Sequence, residues 1–278
     1  MSDRRLTPAN GRVAAAELRG SVAAERYVSG EWMRVRAPLA DLLAAPGGGR
    51  DRQLAMGERF EVLERRDGHA FGRCARDGYV GYLAVGALGP DAAPTHRVAA
   101  PATHLYPAPD IKTRELCALS IGALLSLRAE HGRFAETDGG QFVPAAHLCP
   151  VTAPEPDPVA VAERLLGSPY LWGGNGHGGL DCSALVQIAC LACAIPCPGD
   201  SDLQEAQLGT ALAAGAPLRR GDLVFWRGHV GWIAAPGTLL HANAHYMAVA
   251  REPLDTAVAR IEATGGGAIT RRRRITAG

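Results

Sequence analysis

The chain has 278 residues, long enough for two or three domains with ordinary hydrophobic cores. Its 47% apolar and 21% charged content is that of a globular protein, and a formal net charge of +1 gives no case for nucleic acid or an anionic membrane as a partner. No stretch reaches the roughly 18 uninterrupted apolar residues of a membrane span, and residues 1–12 are too polar for a secretory signal. A cytoplasmic location is the expectation.

Residues 1–30 form an N-terminal segment in which the weak amphipathicity of 11–28 predicts a short helix. Residues 31–93 read as all-β, with short apolar runs at 32–35, 57–63 and 79–83 between polar or glycine turns. Residues 94–149 repeat the theme with runs at 95–98, 123–127 and 140–144. This weak internal repeat predicts two small all-β SH3-like barrels, 31–93 and 94–149, with one larger β domain as the alternative. Pro150, Pro154 and Pro156 stiffen a linker at 150–157. Asp157 and Pro158 are residue types of a helix cap and first turn, Val161 and Leu165 share one face, and Gly167 ends the helix. Over 158–278 a helical half precedes a β half, which predicts an α+β domain. The Arg271–Arg274 run sits among Ile269, Thr270, Ile275 and Thr276 and reads as a terminal strand with a solvated edge, not as a binding tail.

The last domain carries the chemistry. Tyr170-Leu171-Trp172-Gly173-Gly174-Asn175 leads to Asp181-Cys182-Ser183 at the predicted start of a helix. Backbone N–H groups at a helix start lack intrahelical partners. The positive end of the helix dipole is expected to lower the pKa of a thiol placed there, and the same N–H groups suit a developing oxyanion. Cys182 is therefore read as a nucleophile, not as one more buried cysteine.

A nucleophilic cysteine needs a base. Residues 222–226 and 229–234 read as strands joined by a turn at Arg227-Gly228, and Ala235-Pro236-Gly237 is a loop candidate before a return strand at 238–241. Pairing Ala234 with Thr238 sets Gly231 opposite His241. His229 is then one diagonal step away on the same face, at about 7–8 Å. His229 is read as the general base and His241 as the group that orients it. A two-residue turn would instead put the two histidines on opposite faces. His177 and His245 are read as local or solvent-exposed groups.

Seven cysteines, an odd number, argue against a disulfide framework. Cys190, Cys193 and Cys197 have a spacing that raises a metal site, but Cys190 and Cys193 lie on the Cys182 helix among Leu191, Ala192 and Ala194, which favours packing. No metal and no cofactor are expected.

Tyr170 to Gly174, Asp181-Cys182-Ser183, Gly221 to Trp226, His229-Val230-Gly231 and Leu240-His241-Ala242 resemble the NlpC-type papain-like cell-wall cysteine peptidases, over about residues 158–255. With SH3-like domains ahead of it, the chain is similar to the cytoplasmic γ-D-glutamyl-L-diamino acid endopeptidases of murein-peptide recycling. The resemblance implies an α+β papain-like cysteine peptidase domain preceded by two small all-β SH3-like barrels. It implies cleavage of the γ-D-glutamyl to L-diamino acid bond in murein-derived peptides with a free N-terminal L-Ala. Cys182 matches the nucleophile, His229 the base and His241 the third member. Asp181, Ser183 and Ser201 match positions that hold the substrate's amine, and Tyr170 one that lines the site. In the family an acidic residue and a tyrosine of the first SH3-like domain complete the site, and Glu58 and Tyr79 are the candidates here, Glu58 also reading as a solvated strand charge. Two departures stand out: Ala184 replaces the usual glycine after Asp-Cys-Ser, and Gly199 stands where arginine is common. A secreted or surface peptidoglycan hydrolase with SH3-like wall-binding modules is the alternative. An inactive scaffold and a metal hydrolase are further readings.

Overall fold

The computed structural model describes residues 3–275. The chain divides into two compact units, 1–152 and 153–278.

In the first unit, seven strands between Glu31 and Pro90 form one antiparallel sheet. Register shifts between Leu42 and Leu43 and between Val62 and Glu64 are the bulges that let such a sheet bend around a core. That core includes Val35, Leu42, Leu54, Phe60 and Leu83. Residues 96–150 add three small sheets. Their core of Val98, Leu119, Leu125 and Val143 also takes Ala55 and packs Leu39 and Met56. The two β segments of this unit therefore share a core.

The helix expected within 11–28 does not form. Val13–Ala15 and Arg26–Val28 pair as parallel strands, with only a 3-10 turn at Ala16–Leu18. Gly11 and Gly20 both take positive φ, which leaves too short a run between them for a stable helix. Val13 and Ala15 instead bury against Leu63, Phe71 and Val80.

In the second unit, Asp157 caps helix α1 (Pro158–Glu163), its carboxylate accepting from the Val159 amide at 2.8 Å. Helix α2 (Cys182–Ala192) is buried along its first nine residues, as befits a central helix that is apolar on all sides. Helix α3 (Ser201–Gln207) follows, and α4 (Leu254–Ala263) comes late. Six antiparallel strands make the sheet: β1 (Thr210–Ala211), β2 (Asp222–Trp226), β3 (His229–Ala235), β4 (Thr238–Asn243), β5 (Ala248–Pro253) and β6 (Arg271–Arg274). Their spatial order is β1-β6-β2-β3-β4-β5. Helix α2 packs against β3 and β4, and α4 closes a core of Val224, Trp226, Ile233 and Leu239 with Ala257 and Ile261.

The arginine run differs from its expected place. β6 lies between β1 and β2, with Arg273 opposite both Ala211 and Leu223, so neither flank is a free edge there. Arg273 is 8% exposed, and its guanidinium donates to the carbonyls of Ala206, Leu208 and Gly209 at the C-terminal end of α3. Arg274 pairs with Asp222.

Candidate active site

Residues 170–181 form a folded loop that ends on Asp181, the N-cap of α2. Gly173 takes φ +67°, and a Cβ on Gly174 would lie 2.5 Å from the Gly179 carbonyl oxygen, so the glycines are a steric requirement. Asp181 Oδ1 accepts from the Ala184 amide and from the Ser183 hydroxyl, each at 2.8 Å, and Oδ2 accepts from the Gly173 amide at 3.1 Å. One carboxylate thus caps the helix, holds Ser183 and pins the glycine loop.

Cys182 is the first residue of α2 and is buried. Burial pushes its thiol up to about 12, and the Asp181 carboxylate adds to this; the backbone N–H groups of Val230, Ser183 and Cys182 itself pull it back. The expectation that the helix start would lower this thiol's pKa is overturned. Removal from water outweighs the field of the amides. The contact with the Val230 amide sets the thiol against β3 one residue beyond His229.

The strand pair carrying the histidines has Trp232 opposite Leu240 and Ile233 opposite Leu239, with a register shift that pairs Ala235, not Ala234, with Thr238. His229 Nε2 and His241 Nδ1 are 2.7 Å apart. A Cβ on Gly231 would come within 3.1 Å of the His241 Cβ and 2.8 Å of Leu239, which explains glycine between them. His241 Nε2 lies 2.7 Å from Glu252 Oε1, and Arg260 of α4 bonds the same oxygen. A carboxylate accepts only. His241 therefore carries its proton on Nε2, its Nδ1 accepts from the Nε2–H of His229, and the Nδ1 of His229 keeps a lone pair. Burial lowers His229 to about 3, with His241 and Arg260 adding and Glu252 opposing; burial and Arg260 also lower His241 to about 3. Both imidazoles are neutral at pH 7.

Tyr170 is half-buried, its backbone bridges to Leu180, two residues before the nucleophile, and burial chiefly raises its hydroxyl to about 12. Its backbone amide donates to the Met247 carbonyl. Ser201 opens α3. That helix is tied to α2 by Gln204, fully buried, whose amide donates to the Ser183 carbonyl at 2.9 Å. Cys190 and Cys197 are buried, Cys193 is half-buried, and none of the three is in a disulfide. His177 is exposed and so is His245, which stacks edge-on against Tyr246.

Glu58 and Tyr79 belong to the first unit and are buried within it. Glu58 Oε1 accepts from the Ala55 amide and from Arg76, so Glu58 is not a solvated strand charge. Burial raises its pKa while Arg76 opposes. Arg52 lies over the Tyr79 ring.

Sequence reasoning passed over Glu252 and Arg260. The sequence Ala248-Val249-Ala250-Arg251-Glu252-Pro253 has no period-2 alternation that would have marked Glu252 as inward, although it is buried in the structure.

Comparison with known proteins follows the same division. Residues 167–265 match the NlpC/P60 family and residues 42–88 match the bacterial dipeptidyl-peptidase SH3 domain. A probable endopeptidase of Corynebacterium glutamicum is 38% identical over 102 residues, covering 36% of this chain and 48% of that protein. The gamma-D-glutamyl-L-lysine dipeptidyl-peptidase of Bacillus subtilis is 29% identical over 157 residues, covering 52% of each. The chain thus spans about half the length of these curated relatives. The crystal structure of an NlpC/P60 family protein from Bacillus cereus superposes with a TM-score of 0.73 at 20% identity, over 88% of this chain and 99% of that one, which establishes the fold. Residues 167–265 thus match an NlpC/P60 domain with the papain-like fold, preceded in the chain by an SH3 domain of the bacterial dipeptidyl-peptidase type at 42–88.

Proposed function

We propose that the protein is a cysteine peptidase that hydrolyses the γ-D-glutamyl to L-diamino acid bond of murein peptides with a free N-terminal L-Ala, in the cytoplasm, as part of cell-wall peptide recycling. The observation that carries the reaction type is the line from His229 through His241 to Glu252, with the histidine pair at 2.7 Å, beside a Cys182 thiol that meets the neighbouring Val230 amide. The likeness to the B. subtilis dipeptidyl-peptidase, together with the dipeptidyl-peptidase type of SH3 domain, supports the substrate class.

The chemistry follows from the resting protonation. The thiol is neutral and so is His229. Cys182 Sγ attacks the γ-carbonyl carbon while its proton passes to His229 Nδ1. The positive charge formed is spread toward His241 and Glu252. The oxyanion is received by the backbone N–H groups of Cys182 and Ser183. Collapse expels the diamino acid amine, which takes the proton from His229 and leaves a thioester. Water, deprotonated by His229, then hydrolyses the thioester to free the L-Ala-γ-D-Glu product and restore the thiol. Asp181 and Ser183 are proposed to recognise the substrate ammonium, with Ser201 and Tyr170 as further binding residues. No cofactor takes part in this scheme.

Incubation of the protein with free and N-acetylated L-Ala-γ-D-Glu-diaminopimelate and its lysine counterpart, with products read by mass, tests the proposal. Cleavage of the free peptides alone is expected, and Cys182→Ala should abolish it. Turnover retained by that variant, or equal cleavage of acetylated peptide, overturns the scheme. Cell fractionation decides the compartment.

A further inference from the structure

Behind the two histidines lies a buried ion pair drawn from two other elements. Glu252 is the penultimate residue of β5 and is 5% exposed. It stands opposite Leu239, one diagonal step from His241. Its Oε1 takes both His241 and Arg260, while Oε2 is buried with no hydrogen-bond partner among the described residues. Burying a carboxylate with one oxygen unpaired is costly. Holding an imidazole in place requires only a neutral acceptor, so the charge itself needs a use. Arg260 reaches back from α4, where its guanidinium also faces the ring of Tyr246 at 6.0 Å.

We propose that Glu252 and Arg260 are positioning residues for the histidine pair: Glu252 fixes the proton on Nε2 of His241, hence on Nε2 of His229, and supplies the counter-charge for the imidazolium, while Arg260 limits how strongly it does so. The chemistry this serves rests on the peptidase reading, but the relay does not depend on the substrate. The charged and titratable groups facing the pair are Glu252 on β5, Arg260 on α4 and His245 in the turn after β4. Cys182 and Asp181 lie on the α2 side. Loss of the Glu252 charge makes imidazolium harder to form, so thiolate appears at higher pH. Loss of the Arg260 charge makes imidazolium easier to form, so thiolate appears at lower pH. The two variants therefore shift the profile in opposite directions, which a general loosening of structure would not do.

The test is the pH dependence of Cys182 alkylation by iodoacetamide in the full chain. It is followed by peptide mass and read from molecules whose buried Cys190 and Cys197 stay unmodified. At pH 7, Glu252→Gln is expected to slow alkylation roughly tenfold and Arg260→Met to speed it by a similar factor, one displaced pKa unit each. Arg260→Lys should stay within about twofold of the parent protein. In turnover, Glu252→Gln should lower kcat with KM unchanged. Profiles that do not move, or that move the same way in both variants, overturn the proposal. Since alkylation needs no substrate, a failed peptide assay alongside opposite shifts would sink the substrate reading and leave the relay standing.

Discussion

At the residue scale, the site is governed by dryness. Cys182, His229 and His241 are each displaced from their ordinary pKa chiefly by burial. A thiol and a base that are both neutral at rest move one proton, and the pair must be assembled to do so. The histidines also tie stability to pH. Unfolded, each binds a proton near 6.5; folded, each does so only near 3. Between those values the unfolded chain holds more protons, so stability is present above pH 6.5 and is lost as pH falls toward 3. The expected slope is about 1.4 kcal/mol per pH unit for each histidine. Thermal melts from pH 7 to 4 should show a steep fall that His241→Asn makes shallower; an unchanged slope in that variant would remove His241 as a source.

Several elements were legible in the sequence because their causes are local. Asp157 and Pro158 start α1, Asp181 starts α2, and the Pro236-Gly237 turn sets the strand pair that brings His229 to His241. Glu252 and Arg260 were not legible because they reach the site through the register of a third strand and the seating of α4, neither of which leaves a short-range mark. The Cys182 ionisation was misjudged for a related reason: a dipole is readable from a helix start, whereas desolvation depends on β3 packing over it. The Asp181 cap makes a separable prediction. Asp181→Ala should cost about 1–2 kcal/mol by loss of the cap, whereas Asp181→Asn keeps an acceptor and should cost less. If the carboxylate also grips an ammonium, the asparagine variant should lose preference for free-amine peptides while melting near the parent temperature. Denaturation midpoints and the ratio of free to acetylated turnover decide this. Gly174→Ala, forced against the Gly179 carbonyl, should destabilise by about 1–3 kcal/mol, read as a lowered denaturation midpoint.

On the scale of the whole molecule, the two units are joined by an exposed stretch at 151–154. Each unit has its own buried cores. Exposed connections between compact units are where proteases cut first. Brief digestion with a broad-specificity protease should give two fragments meeting within 151–154, identified by mass. First cuts inside the 31–90 sheet or the six-stranded sheet would contradict this division.

The placement of β6 bears on biosynthesis. Chains are made from the N-terminus, and domains begin to fold as they emerge. The strand that fills the gap between β1 and β2 is the last of the six to leave the ribosome. Until it arrives, β2 presents a row of unpaired amides and carbonyls, carried by the apolar run Leu223-Val224-Phe225-Trp226. A nascent chain halted before Arg271 therefore holds the nucleophile and both histidines yet lacks a closed sheet. Such a product should recruit chaperones or precipitate. The four arginines, arriving last, end that exposure with a strand whose charge discourages the wrong partners.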